Sequence, residues 1–317
     1  MKALNIIYMG TPGFAVAPLK AILEAGHVVS AVVTVPDKPA GRGRKVHTSA
    51  VKDFAVENNL PVLQPEKLRD VDFIQALEAL KPDVMVVVAF RMLPAVVWKI
   101  PSLGTFNLHA SLLPQYRGAA PINWAVINGE KESGVTTFLI DDKIDTGGVL
   151  LQEKIALEPS ETAGSLHDKL MGLGAELVVK TLSGLADGAL EPQEQVESSA
   201  LRNAPKIFRQ DCCINWNKPG QEIEAFIRGL SPYPAAYTTI ESEEISGDLK
   251  ITKAKFHAVD SPAGDVQMRI EGKSLMVHIA DGKMAVEELQ PQGKRSMAAA
   301  DFINGIQDKE QLFAIKR

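Results

Sequence analysis

Asn107 and His109 stand two residues apart in the β-branched, apolar run TFNLH (Thr105–His109), and their types and spacing suit them to chemistry. Residues two apart in a strand share a face, so both side chains are expected to project together from its C-terminal end. In open α/β sheets that is the end where substrates bind. An imidazole suits general acid–base work, and an amide N–H₂ can donate to a developing oxyanion. A hydrogen-bonded histidine closing a strand would show the same N-x-H spacing, so the pair needs a third partner. The loop DDKIDTGG (Asp141–Gly148) follows the β-branched strand Gly134–Ile140 and supplies one. If that strand lies beside Thr105–His109, Asp145 reaches the same edge and can orient His109; on its own, D-T-G-G also reads as an ordinary β-turn.

The elements that must position these residues alternate. Leu4–Met9, the turn Gly10–Gly13 and the apolar-periodic Phe14–Ala25 closed by Gly26 read as strand, turn, helix and glycine cap. Val28–Val33 and Val84–Ala89 are further buried strands, with helical patterns at Ser49–Asn58 and Phe73–Leu80 between them. This is an α/β chain with a doubly wound, mostly parallel, Rossmann-like sheet. The first turn, G-x-x-G with Pro12 inside, lacks the G-x-G-x-x-G order of a dinucleotide site. Downstream come a helix at Pro121–Asn128, a strand at Leu150–Leu157 and a long helix at Ser165–Leu185 begun by its serine. The chain then turns polar and extended. Beyond it, one helix (Gln221–Leu230) precedes five short alternating runs, Ala236–Ile240, Lys250–Phe256, Val266–Ile270, Leu275–Ala280 and Met284–Gln290, the pattern of a small β-barrel. The expected division is a catalytic domain over 1–189, a linker over 190–206 and a C-terminal barrel domain over 207–317.

Composition narrows the class of protein. The 317 residues, 45% hydrophobic and 23% charged with a net charge of −5, fit two ordinary globular domains and advertise no general affinity for nucleic acid. No apolar run approaches ~18 residues and no targeting pattern precedes the first strand, so a cytoplasmic protein is expected. Two adjacent cysteines, Cys212 and Cys213, offer no disulfide framework. The six histidines form no close pair with ligand spacing and no Cys–His cluster, so no metal is expected.

Charge is concentrated in one place. The loop Pro36–Lys52 carries Lys38, Arg42, Arg44, Lys45 and Lys52 against Asp37, a local excess of four positive charges in an acidic chain. Glycines flank Arg42, which suits a finger that orders on a polyanion; a solvated loop tip has the same composition. Arg202, Lys206 and Arg209 add a second basic approach beside the linker.

The stretches NLHASLLPQYRGAAPINWAVINGE (Asn107–Glu130), DDKIDTGG and PDKPAGRGRK (Pro36–Lys45) together resemble the methionyl-tRNA formyltransferases, over nearly the whole chain. The resemblance implies a formyltransferase sheet followed by an OB-like barrel, with Asn107, His109 and Asp145 as the catalytic set. It implies that 10-formyltetrahydrofolate, the formyl donor, is met by Ser111, Leu112, Leu113 and Pro114, by Phe90, Arg91, Met92 and Leu93, and by the loop at Asp141, Asp142 and Ile144. Lys38, Arg42, Arg44 and Lys45 would meet the acceptor stem of initiator methionyl-tRNA, Lys206 would bind the same tRNA beside the barrel that offers it a basic face, and a monomer is expected. Two positions depart from the family pattern: Lys143 replaces a small or acidic residue, and Ala235 a common glycine. Relatives with other acceptors remain alternatives. A glycinamide ribonucleotide formyltransferase would need a phosphate loop that GTPGF is not; a sugar-amine formyltransferase or formyltetrahydrofolate hydrolase keeps a barrel but gives the basic loop no purpose. A non-catalytic RNA-binding protein is the alternative of another class.

Overall fold

Short apolar runs between glycine- and proline-marked turns assemble one seven-stranded sheet. Its order is Val149–Ala156, Glu132–Leu139, Thr105–His109, Val84–Val88, Asn5–Gly10, Val28–Val33 and Val62–Leu63. The last five pair in parallel. Glu132–Leu139 runs antiparallel to both its neighbours. The computed structural model describes residues 3–40, 45–259, 266–310 and 312–316; Arg42 and Arg44 lie outside the described residues. Every residue of Val84–Val88 is buried, as a parallel strand covered on both faces requires. The two-residue strand Val62–Leu63 is too short to leave a sequence pattern.

The helices read from the spacing lie where it places them, within a residue or two, while the short helices Ala95–Trp98 and Ala299–Asn304 are not anticipated by it. Ser49 caps Ala50–Glu57, its Oγ accepting from the Lys52 amide at 3.1 Å, and Asp70 caps Val71–Ala79. The long helix differs at its start. It spans Ala163–Ala186, and Thr162 rather than Ser165 is the cap: Thr162 Oγ1 accepts the Ser165 amide and Ser165 Oγ accepts the Thr162 amide, both at 3.0 Å. This reciprocal capping box moves the first turn upstream of the serine.

Contacts divide the chain into two compact units, 1–118 with 132–156 and 167–204, and 119–131 with 157–166 and 205–317. Most of the segment read as a linker therefore belongs to the first unit. The Tyr116 amide donates to Arg202 O at 2.6 Å, Asn203–Ala204 pairs in parallel with Arg117–Gly118, and Gln193 bridges Val149. These bonds join residues more than forty positions apart, so no local periodicity announces them.

In the second unit six strands close an antiparallel barrel. Ser246–Ala258, Ala236–Glu241, Leu312–Lys316, Gln267–Glu271, Ser274–Ile279 and Gly282–Pro291 follow in that order, and the last pairs back onto the first. Leu249, Ile251, Met268, Val277, Met284 and Leu289 fill it, and Ile223, Ile227 and Leu230 of helix Gly220–Leu230 join the same core. Five of the strands match the alternating runs; the sixth, Leu312–Lys316, completes the ring. Across its wall, Glu271 accepts from Arg269 at 2.9 Å, His278 at 2.5 Å and Lys283 at 3.0 Å. Burial alone would raise the Glu271 carboxyl, but the bonds from Lys283, His278 and Arg269 outweigh it and hold it down at about 2. A depressed carboxyl stabilises the fold above its unfolded value and loses that contribution as pH falls through its folded one. Urea unfolding of Glu271→Gln is therefore expected to show a deficit against the wild type above about pH 4.5 that fades towards pH 2; a deficit independent of pH would assign Glu271 a packing role only.

Candidate active site

The strand Thr105–His109 lies between Val84–Val88 and Glu132–Leu139, so its middle is fixed from both sides. Its period of two puts Asn107 and His109 on one face. His109 is 6% exposed. Its Nε2 lies 2.9 Å from Tyr116 O. A carbonyl can only accept, so Nε2 carries a proton and Nδ1 is left as the working nitrogen. Nδ1 faces Asp145 Oδ2 at 3.8 Å, inside ion-pair range but too long for a hydrogen bond. The ring is thus oriented by the Tyr116 carbonyl, and the carboxylate stands across a gap from Nδ1. The half-buried Asn107 amide has no hydrogen-bond partner among the described residues.

Asp145 reaches this place by an unexpected route. The sheet does put Glu132–Leu139 beside Thr105–His109, but antiparallel: Leu139 faces Phe106 and the Ile140 amide donates to Thr105 O. The loop 141–148 therefore leaves the sheet at the far end of the strand from His109 and has to fold back. Asp145 turns there with φ +56°, a left-handed conformation that aspartate tolerates better than most residues. Gly147 presses so closely on the preceding strand that a Cβ would sit 1.7 Å from Leu139 O. Within the loop, Asp141 Oδ1 accepts the Lys143 amide and the Thr146 hydroxyl, both at 2.9 Å. Lys143 contributes its backbone while its side chain stays exposed, so the departure at that position leaves the turn intact.

A residue the sequence reading passed over holds the returning loop. Gln195 Nε2 donates to Asp145 O at 3.0 Å and Gly147 O at 2.8 Å. Its Oε1 accepts from Arg117 Nε and Nη2 at 3.0 and 2.8 Å, and Arg117 Nη1 meets Glu197 at 2.6 Å. Next to Arg117, the Gly118 amide donates to Asp145 Oδ2 at 2.9 Å. Gln195 thus satisfies two loop carbonyls and one guanidinium at once. The only sequence signal was the run of glutamines and glutamates at 193–197, in a stretch without apolar periodicity.

The other expected ligand-binding positions divide by where they point. In Ser111–Pro114, Ser111 and Leu113 are buried. Ser111 Oγ donates to Gln115 O at 2.6 Å, and the Leu113 amide and carbonyl are taken by Thr136 and Gln152. Leu112 and Pro114 are half-buried. In the loop after Val84–Val88, Leu93 is core, Phe90 packs on that core, and Met92 is exposed. Arg91 staples this loop to the carbonyls of Pro65 and Glu66, while its buried Nε has no partner; burial lowers its pKa. Asp142 and Ile144 are exposed at the tip of the second loop. Lys38 is exposed in a two-stranded ribbon, Lys38–Ala40 with Lys45–His47, and Lys52 bonds to Asp37. Lys206 is exposed in the second unit. Among the described residues no group of His, Cys, Asp or Glu is placed to hold a metal ion.

Residues 1–182 match the formyl transferase family and residues 206–307 the formyl transferase C-terminal domain. A methionyl-tRNA formyltransferase of Flavobacterium johnsoniae is 49% identical over 309 residues, covering 96% of this chain and 97% of the relative. Among solved structures, an N-formyltransferase from Helicobacter canadensis, in complex with folinic acid and dTDP-3-aminofucose, is 23% identical with a TM-score of 0.64 over 90% of this chain and 99% of its own. HypX from Aquifex aeolicus in complex with tetrahydrofolic acid is 16% identical with a TM-score of 0.65; it covers 99% of this chain, which spans about half (51%) of HypX. At such identities these two structures attest the fold.

Proposed function

The chain belongs to the methionyl-tRNA formyltransferase family, and we propose that Asn107, His109 and Asp145 carry out its reaction. The enzyme transfers the formyl group of 10-formyltetrahydrofolate to the α-amino group of methionine on initiator tRNA. The methionyl nitrogen bonds to the formyl carbon, the carbon's bond to folate N10 breaks, the ammonium gives up its protons, and N10 takes one. Asn107 Nδ2, unpartnered and beside the imidazole, donates to the developing oxyanion. His109 Nδ1, the nitrogen left free by the Tyr116 carbonyl, takes one of the ammonium's protons and, so charged, donates to that oxygen and passes the proton to the departing N10. Asp145 receives the amine's proton, directly or through a water in the gap it leaves to Nδ1. The observation that carries this reading is the 3.8 Å approach of Asp145 to a histidine whose other nitrogen is already tied.

The folate binds against Phe90–Leu93, Ser111–Pro114 and Asp141–Ile144. The exposed Met92 and Ile144 and the half-buried Leu112 and Pro114 give a flat heterocycle apolar surface, and Arg91 holds the loop beneath it to Pro65 and Glu66. The buried Ser111 and Leu113 shape the turn rather than touch the ligand. Lys38, Arg42, Arg44 and Lys45 meet phosphates and base edges of the acceptor stem, and Lys206 a phosphate elsewhere on the tRNA. The protein acts as a monomer in the cytoplasm, where charged initiator tRNA is used; no helix of the described residues is long and apolar enough to cross a membrane.

The test is a formylation assay with 10-formyltetrahydrofolate as donor and methionyl-tRNA, free methionine or a nucleotide-linked amino sugar as acceptor. Product on methionyl-tRNA alone is expected; faster turnover of the amino sugar would transfer the same site to the other acceptor. Gln195 enters as a positioning residue. Gln195→Ala frees the 141–148 loop without touching substrate, so kcat should fall about 10- to 100-fold with KM for both substrates nearly unchanged. Loss in KM alone would show that Gln195 serves binding instead.

A further inference from the structure

The second unit carries a cleft of about 630 Å³, of whose lining only Lys206 has been given a role so far. That is the size of a small-molecule site. Its lining combines three aromatic rings with three cations: Phe208, Tyr233 and Tyr237 with Lys206, Arg209 and Lys250. One carboxylate, Asp248, stands among them; it pairs with Arg209 and accepts the Thr239 hydroxyl at 2.8 Å. Two of the rings are already engaged on one face. Lys206 Nζ lies over Phe208 at 5.2 Å, and the Arg209 guanidinium lies over Tyr237 at 5.5 Å.

Tyr233 is different. The residue is 81% exposed, and among the described residues its ring makes no ring, cation or hydrogen-bond contact. Its surroundings are nevertheless held. Lys250 Nζ donates to Pro234 O at 3.3 Å, and the Ala235 amide donates to Leu230 O at 2.9 Å, so the backbone that presents the ring is anchored on both the barrel and the helix. Phe208, at 50%, is the second exposed ring of the same cleft. A positive groove that offers rings on fixed backbone is the pattern that takes unpaired nucleotides, phosphates along the cations and bases on the ring faces. Paired stems present no free base face, so they do not fit it.

The geometry points to this cleft as a stacking site for an unpaired nucleotide of the tRNA's single-stranded 3′ tail, with Tyr233 as the ring it stacks on. The inference rests on the reading of the chain as an enzyme acting on methionyl-tRNA. The methionine is esterified to the last nucleotide of that tail, so an enzyme that formylates it must admit the tail and hold it extended. Lys206 and Lys250 supply the phosphate contacts beside it, and Phe208 a second face.

The experiment uses the full chain and two RNAs, an acceptor-stem hairpin with its single-stranded 3′ tail and the same hairpin cut blunt, with binding followed by fluorescence anisotropy. Tyr233→Ala is expected to weaken binding of the tailed hairpin by at least about fivefold, leave the blunt one unchanged, and raise KM for methionyl-tRNA by a similar factor with kcat within about twofold. Tyr233→Trp restores both values, which a merely structural role would not predict. Phe208→Ala serves as the second variant if Tyr233→Ala fails to fold. Equal loss on the two hairpins reduces the cleft to phosphate contacts and overturns the stacking site, as does no loss on either. A wild type that binds both RNAs but formylates no methionyl-tRNA would overturn the assignment of the reaction instead.

Discussion

His109→Ala is expected to lower kcat by about 10²–10⁴ while KM for methionyl-tRNA stays within a few-fold of the wild type. The imidazole is buried, held by Tyr116 O through Nε2, and presents Nδ1 to the gap in front of Asp145. Removing it takes away the imidazole that can accept a proton and return it within that gap. It also removes the bond to Tyr116 O, a loss of about 0.5–1.5 kcal/mol in stability for one net hydrogen bond. The two effects separate in the measurement. Single-turnover formylation at saturating donor and acceptor reads the chemical step, and urea unfolding reads the stability. A variant that unfolds a little earlier yet formylates at the wild-type rate would show that His109 only fastens the strand to Tyr116. Asn107→Ala belongs to the same comparison. Its amide has no partner to strand, so its loss should fall on kcat with little change in unfolding.

The strand bearing Asn107 and His109 was legible because its information is local. TFNLH has the branched and apolar composition of a strand, and a period of two places the polar pair on one face. The same locality explains the helices and five of the barrel strands. Asp145 was legible by type and by resemblance but not by geometry, since its approach depends on an antiparallel register and on one residue with positive φ, neither written in the composition of the loop. Gln195 was not legible at all. Its segment has no apolar periodicity, and what orders it is a set of side-chain bonds to Arg117, Asp145 O and Gly147 O from distant parts of the chain.

The grouping by contacts departs from the division read in the sequence for a related reason. Pro121–Ile127 follows the catalytic strand closely, yet it belongs to the unit that contains the barrel: Asn123 Nδ2 donates to Gly229 O at 2.8 Å, and a Cβ on Gly229 would meet Ile127 at 2.4 Å. A helix of seven residues shows which of its own faces is apolar, but not which distant helix will bury it. Arg228 adds a second such tie, its Nη1 donating to Glu161 O at 2.7 Å.

Asp145→Asn is expected to cost nearly as much in kcat as loss of the histidine, about 10²–10⁴, with the fold little changed. Asparagine has the same length, is among the residues that tolerate a φ of +56°, and its carbonyl oxygen can still accept the Gly118 amide that now bonds Oδ2 at 2.9 Å. What it removes is the charge and the ability to take a proton from the attacking amine. Asp145→Ala removes the acceptor as well and puts a Cβ residue without a local hydrogen bond into the left-handed region, a strain of roughly 1–2 kcal/mol. If the carboxylate acts chemically, both variants are slow and only alanine is unstable. If its role is to hold the turn at Gly118, asparagine keeps most of the rate and alanine does not. The double variant with Gln195→Ala sharpens the distinction, because residues that act as one unit are not additive. Once the carboxylate is gone there is nothing for Gln195 to position, so adding Gln195→Ala to Asp145→Asn should slow single-turnover formylation no further; an additional full 10- to 100-fold loss would mean that Gln195 acts on the site by a route other than Asp145.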